Sequence, residues 1–394
     1  MDVQSHFDHL KIQEYEDPFP ILAEARQGCP VTRSDEHGGF LALFRYADIV
    51  TVARNPQVFC SRQGVTIPSH VPFPMLPPLE CDPPLHMQFR APLLERFSAA
   101  GVAIYEPVIR AMVTELLDAF IETGTADFAR DLAMPLPTNV IAHVLEMPDA
   151  DRDKFRDWSV RVILNAEDCE ALAELMQYFY GTYTDRRQAP RDDIATLILQ
   201  MQIDNRPITD IEFLCMMNML AIAGLETTAS AAANILEILG KQPDLRRQVV
   251  AANPAELDLA VEELLRYVTP LPSLARTVTE PTEFQGAALA PGDKVLMNWI
   301  AANHDPEEFP DPEQIDFARQ PNRHVAFGVG IHRCLGAHLA RLELRVLLEE
   351  VAARIPDFRV IEEQVVRYGG FITRGIATLP VEFPAGRRLA RRMS

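Results

Sequence analysis

Residues 327–341 read F-G-V-G-I-H-R-C-L-G-A-H-L-A-R, from Phe327 to Arg341. One cysteine, Cys334, stands between Gly328 and Gly330 on one side and Gly336 on the other. Glycines at that density let the backbone come close to something large, because no Cβ stands in the way. Leu335, Leu339, Leu342 and Val346 then recur at helical spacing, with Arg341, Arg345 and Glu349 on the wetter side. The spacing predicts a helix with Cys334 at or just before its first turn. There, free N–H groups and the positive helix end favour a thiolate over a thiol. With no second cysteine nearby in sequence, a closed zinc site is disfavoured. A soft metal ion with one protein ligand fits better, haem iron first. The plainer alternative is a buried free cysteine in a glycine-rich turn.

Composition sets the outer limits. A chain of 394 residues with 48% hydrophobic content can bury a large core, as several domains or one large enzyme domain. A net charge of −19 argues against a nucleic-acid-binding surface, which would need a basic stripe. Cys29, Cys60, Cys81, Cys169, Cys215 and Cys334 show no C-x-x-C spacing, which reads as a reducing, cytoplasmic setting. The start, M-D-V-Q-S-H-F-D-H-L-K, has no basic flank or apolar run, so no signal peptide or membrane anchor is expected. No uninterrupted apolar stretch reaches the roughly 18 residues of a membrane span.

Along the chain, helices are predicted over 21–28, 47–54, 102–123, 140–145, 150–164, 169–187, 194–202 and 257–267. Strands are predicted over 40–44, 274–278, 282–284 and 294–298, with a hairpin tip near Tyr368. Residues 61–84 are dense in proline (Pro68, Pro72, Pro74, Pro77, Pro78, Pro83, Pro84) yet carry Val71, Phe73, Met75, Leu76 and Leu79. Prolines exclude helix and sheet interior, and the apolar residues suit a lid or pocket wall better than a solvated linker. His86 and Arg90 follow, four apart on one helix face and able to hold a carboxylate.

A long helix is predicted from a Thr209/Glu212 capping box to about Leu239, closed by Gly240 and Pro243. It is apolar on nearly every side, which places it inside. In its middle stands A-G-L-E-T-T, Ala223 to Thr228. Gly224 costs about 1 kcal/mol relative to alanine in a helix. Glu226 brings a charge to the core, and Thr227 can bond the Ala223 carbonyl and bend the helix. Local violations of this kind in a buried helix mark a functional site more often than a defect.

The cysteine stretch resembles the haem-binding signature of the cytochromes P-450 at Phe327, Gly328, Gly330, His332, Cys334, Gly336 and Ala340. Ala223–Thr228 resembles that family's oxygen-binding groove, with Glu226 in place of the aspartate of camphor-type members. The run D-P-P-L-H-M-Q-F-R, residues 82–90, is similar to its propionate-binding pattern. Glu263 and Arg266 are similar to its E-x-x-R pair, tied to an arginine of the meander; Arg319 or Arg323 could be that arginine, with Arg323 nearer the family spacing. Together these motifs cover about residues 17 to 383.

The resemblance implies a mainly α fold with small β-sheets, the triangular prism of those enzymes, as one domain over 1–394 with a mobile lead-in and Arg-rich tail. It implies haem b held by Cys334 as axial ligand, with Ala223, Gly224, Phe327, Gly328 and Gly336 around it and His86, Arg90, Arg276 and His332 near its propionates. Glu226 and Thr227 would be catalytic, organising water and delivering protons. Phe73, Leu76, Leu225, Leu271, Leu274, Ile372 and Thr373 would wall the substrate pocket. The implied activity is monooxygenation of a small apolar substrate by O2. Electrons would come from a ferredoxin and its NAD(P)H-dependent reductase, docking near Arg333 and Arg341. The layout is nearest to camphor and other terpene hydroxylases, although Pro74 stands where the camphor enzyme has a tyrosine, so a terpenoid or alkyl-aromatic substrate is expected. A peroxide-driven peroxygenase and a non-enzymatic haem sensor or carrier are the alternatives. Neither nucleic acid nor membrane is expected as a partner, and the chain is expected to be a monomer.

Overall fold

The computed structural model describes residues 6–12, 15–68, 75–164, 169–369 and 373–389. Most elements are helices, and the strands gather into small sheets. The elements that frame the site are α1 (Leu85–Arg90), α2 (Glu106–Phe120), α3 (Asp210–Ala223), α4 (Leu225–Lys241), α5 (Pro254–Val268) and α6 (Ala337–Arg354).

Sequence explains where these helices begin and which face they bury. On α2, Ile109, Val113, Leu117 and Phe120 recur every three or four residues and are all buried. Pro107 occupies the first turn of α2, so the predicted helix over 102–123 becomes Ala99–Ala103 followed by Glu106–Phe120. The capping box at α3 forms as the sequence predicts: Thr209 Oγ1 accepts from the Glu212 N–H at 3.2 Å and Glu212 Oε2 accepts from the Thr209 N–H at 2.8 Å. Asn253 and Glu256 make the same reciprocal pair ahead of α5.

Two further predicted helices change. The long one divides at Gly224 into α3 and α4, and runs to Lys241. Thr227 Oγ1 donates to the Ala223 carbonyl at 2.9 Å at the division, next to a residue with no Cβ. Over 194–202 the helix stops at Leu199, and Gln202–Ile203 pairs antiparallel with Arg206–Pro207. The turn residues Asp204 and Asn205 have φ of 48° and 62°, a conformation Asp and Asn tolerate.

The largest sheet has five strands: β1 (Val31–Ser34), β2 (Phe40–Leu43), β3 (Phe59–Cys60), β4 (Ser273–Val278) and β5 (Lys294–Asn298), in the order β1-β2-β5-β4-β3. β5 runs parallel to β2 and antiparallel to β4. Alternation puts Phe40 and Ala42 into one apolar cluster and Leu41 and Leu43 into another, so both faces of the sheet are covered. A third, much larger cluster joins α2, α4, α5 and α6. Near the end, β6 (Val366–Gly369) and β7 (Arg374–Thr378) form the predicted hairpin and lie against α4. The run Asp210–Lys241 has the length and apolarity of a membrane span, with mean hydropathy 1.3 over its best window. Here it is the helix on which the core packs.

Candidate functional site

The cysteine loop is a tight construction. Phe327 O accepts from the Cys334 N–H at 2.8 Å, closing a turn in which Gly328 and Gly330 have φ of 66° and 80°. A Cβ on Gly330 would stand 2.6 Å from the Ala53 carbonyl oxygen, so no other residue fits. Helix α6 begins at Ala337 with Gly336 as its N-cap, which sets Cys334 just ahead of the first turn. The thiol is solvent-accessible, yet the surrounding protein raises its pKa. The Gly336 N–H and the charges of Arg90, Arg333 and Arg341 pull the pKa down without overcoming burial. The backbone N–H and these charges favour the thiolate, as the sequence predicts, while burial opposes it; a metal cation at the sulfur favours it further.

Around the cysteine stand side chains that suit an anion. His86 is fully buried and neither ring nitrogen has a partner. Burial, with Arg90 nearby, lowers its pKa to about 4. Its ring meets that of His332 at 4.6 Å, and His332 Nε2 lies 3.1 Å from Ser61 Oγ. Arg276 is 3% exposed and donates to the adjacent Ala275 carbonyl, and burial lowers its pKa to about 10. Arg90 donates to the Arg333 carbonyl, beside the cysteine. A buried donor left unsatisfied costs about 1–3 kcal/mol. An anion that reaches His86 and Arg276 offsets that cost. One accessible thiol with buried cationic and imidazole groups has the chemistry that a haem iron and its two carboxylates require, so the residues present fit that group.

The interrupted helix supplies the acid–alcohol pair. Ala223 is exposed and Gly224, Glu226 and Thr227 are half-buried, while Leu225 turns into the main core. Burial raises the Glu226 pKa to about 7, opposed by a hydrogen bond that its Oε1 accepts from the Thr373 hydroxyl. Tyr368 on β6 is raised in turn, by burial and by Glu226. Ser230 Oγ and Asn234 Nδ2, one and two turns further along α4, donate to the Arg374 carbonyl and fix the hairpin to the helix.

The other predicted site residues are less uniform. Leu76 is half-buried, and Leu271 and Leu274 pack against the sheet cluster. Thr373 is fully buried. Phe73, Pro74 and Ile372 lie outside the described residues. Arg333 is exposed, but Arg341 lies 4.4 Å over the Phe327 ring and reaches Glu262 at 2.7 Å, so its charge is already engaged. Glu263 and Arg266 are both fully buried and bidentate, at 2.8 and 2.9 Å. Their arginine partner is Arg319, at 3.1 Å from Glu263 Oε1. That corrects the choice of Arg323, which is exposed and 3.6 Å from Glu308. Asp316, three residues before Arg319, gives Glu263 its backbone N–H and thereby brings Arg319 into reach. Sequence reading also missed Glu262, which joins Arg341 and His324 and whose pKa falls to about 2, against burial, through those two bonds. An open cleft of about 510 Å³ beside Gly124, Arg246 and Phe358 contains none of the site residues.

Residues 256–361 match the family model for cytochrome P-450, and they contain both the Glu263–Arg266 pair and the cysteine loop. A steroid C26-monooxygenase of Mycobacterium tuberculosis is 33% identical over 371 residues, covering 91% of this chain and 98% of that protein. The chain belongs to the cytochrome P-450 family. Mycinamicin IV hydroxylase/epoxidase of Micromonospora griseorubida is 36% identical, over 77% of this chain and 79% of that one. The fold agrees. A Mycobacterium marinum cytochrome P-450, CYP268A2, in complex with pseudoionone superposes with a TM-score of 0.88, 28% identity and coverage of 97% and 100%. CYP108D1 from Novosphingobium aromaticivorans gives 0.86 and 29% over 96% and 97%. This cytochrome P-450 is a monooxygenase of the bacterial type, and membership implies a haem-iron cofactor.

Proposed function

We propose that the whole chain is one catalytic domain that holds haem b through Cys334 and hydroxylates a small apolar substrate, terpenoid or alkyl-aromatic, with electrons from a ferredoxin and its NAD(P)H-dependent reductase. The observation that carries this reading is the accessible Cys334 thiol beside the buried, unpartnered His86 and the buried Arg276. When bound, the haem supplies activation of dioxygen and transfer of one oxygen atom to the substrate. Cys334 gives the sulfur ligand. His86, Arg90, Arg276 and His332 hold the propionates, while Phe327, Gly328 and Gly336 keep backbone close to the ring.

Glu226 handles protons. With a pKa of about 7 it is close to half ionised at neutral pH, so it can both take and release a proton. The Thr227 hydroxyl, bonded to the Ala223 carbonyl, would hold water beside that carboxyl. Leu76, Leu271 and Leu274, with Phe73 and Ile372, exclude water and recognise the substrate by shape alone. Support for an apolar substrate comes from relatives named for a steroid and for a complex with pseudoionone. Arg333 is an exposed cation beside the cysteine, available to the ferredoxin.

The absorption of the reduced, carbon-monoxide-bound protein tests the ligand: a thiolate-type Soret band is expected, and an imidazole-type band overturns it. A spin-state screen over terpenoids, alkyl-aromatics, steroids and macrolides then tests the substrate class. Response only to macrolides would refute the small apolar assignment.

A further inference from the structure

Asp8, His9 and His37 each offer a metal-ligating atom, and these atoms lie within 4.8 Å of one another. Nothing in the oxygenation reading uses them. Asp8 and His9 belong to the N-terminal segment, and His37 to the turn between β1 and β2. His37 Nε2 stands 2.9 Å from Asp8 Oδ1, and the two imidazole rings are 5.5 Å apart. His37 has φ of 50°, a backbone conformation uncommon outside glycine and enriched in histidine when it is locally bonded.

The state of His9 is a separate observation. It is 6% exposed, and its Nδ1 has no partner. A buried imidazole nitrogen with no hydrogen-bond partner is a donor that a metal ion takes. Asp8 is buried, and His37 and Lys11 both bond its carboxylate. Lys11 Nζ occupies Oδ2 at 3.2 Å, while Oδ1 accepts the Leu10 N–H and faces His37. His6 and Glu36, 3.9 Å apart, stand beside them in the chain.

We propose that Asp8, His9 and His37 form a binding site for a divalent transition-metal ion of the zinc kind, tying the N-terminal segment to the β1–β2 turn. Two nitrogens and one carboxylate oxygen, with a fourth position for water, make a set that zinc accepts, and nickel and cobalt suit the same donors. Tetrahedral zinc holds its ligands roughly 3.3 Å apart. His37 Nε2 and Asp8 Oδ1 already stand within that spacing, so any gap left to close is to His9.

The test is calorimetric titration of zinc chloride into the metal-stripped, haem-loaded full chain near neutral pH. One zinc per chain is expected, with binding weakened at least about tenfold in His37→Ala and a zinc-dependent rise in unfolding temperature that the variant lacks. His9 is buried and its substitution can impair folding, so the exposed His37 carries the test and Asp8→Asn repeats it from the other side. Absence of zinc uptake overturns the proposal. So does uptake that His37→Ala and Asp8→Asn leave unchanged.

Discussion

The Thr373 hydroxyl donates a hydrogen bond to Oε1 of Glu226, joining the hairpin of β6 and β7 to the first turn of α4. The bond lowers a carboxyl pKa that burial raises to about 7. Thr373→Val removes the lowering contribution and keeps the shape. The Glu226 pKa then rises, by about one unit if the bond is worth what bonds to charged groups usually are. Less carboxylate is present at neutral pH, and the acidic limb of coupled turnover moves to higher pH. Product formed per NADH, measured across pH, should show this shift, and Glu226→Gln should remove the limb. An unmoved limb in Thr373→Val would mean that another group sets it.

Thr227 bears on the same protons from the other side. Thr227→Ala frees the Ala223 carbonyl and removes the hydroxyl proposed to hold water beside Glu226. Oxidation of NADH should continue while product falls about tenfold or more, as expected when a positioned proton donor is lost. Equal coupling in the variant and the parent would remove Thr227 from the mechanism.

Glu343 lies on α6, 3% exposed, with Oε2 unpartnered, and burial alone raises its pKa well above the ordinary 4.5. The folded chain keeps this proton while the unfolded chain loses it above that ordinary value. Glu343 therefore makes stability fall as pH rises above about 4.5. Glu343→Gln should flatten that part of the pH–stability curve and raise the denaturation midpoint at neutral and alkaline pH. Parallel curves for the two proteins would contradict the assignment.

The Glu263 cluster separates two arginines four residues apart. Arg266→Ala leaves Glu263 buried without its bidentate partner and should cost about 3–5 kcal/mol. Arg319→Ala removes one of several donors to that carboxylate and should cost about 2 kcal/mol. Arg323→Ala, an exposed position, should stay within about 0.5 kcal/mol. Denaturant midpoints rank the three, and an Arg323 cost equal to that of Arg319 would restore it to the cluster.

Gly330→Ala drives a Cβ to 2.6 Å from the Ala53 carbonyl oxygen at a φ of 80°. The loop must shift, so the purified variant should hold less haem per chain and show a weaker thiolate-type carbon monoxide spectrum. Full haem content with an unchanged spectrum would show that the loop tolerates the strain.

Sequence by itself determined what depends on neighbours along the chain. The cysteine loop, the capping box at Thr209, the Thr227 bond to Ala223 and the pairing of Glu263 with Arg266 are contacts within about eight residues, set by residue type and helical spacing. Family resemblance rested on those same local motifs. Some local signals were present but overlooked: the turn at Asp204 and Asn205 cut a predicted helix short, and Pro107 restarted another. Tertiary structure alone decided what depends on which surfaces meet. It chose Arg319 over Arg323, because the side chain that reaches Glu263 depends on the path of the meander. It set Thr373 against Glu226 across 147 residues of chain, and left His86 buried without a partner. Burial is a property of the packed whole, and here it pushes both the Glu226 carboxyl and the Cys334 thiol upward against what their immediate neighbours favour.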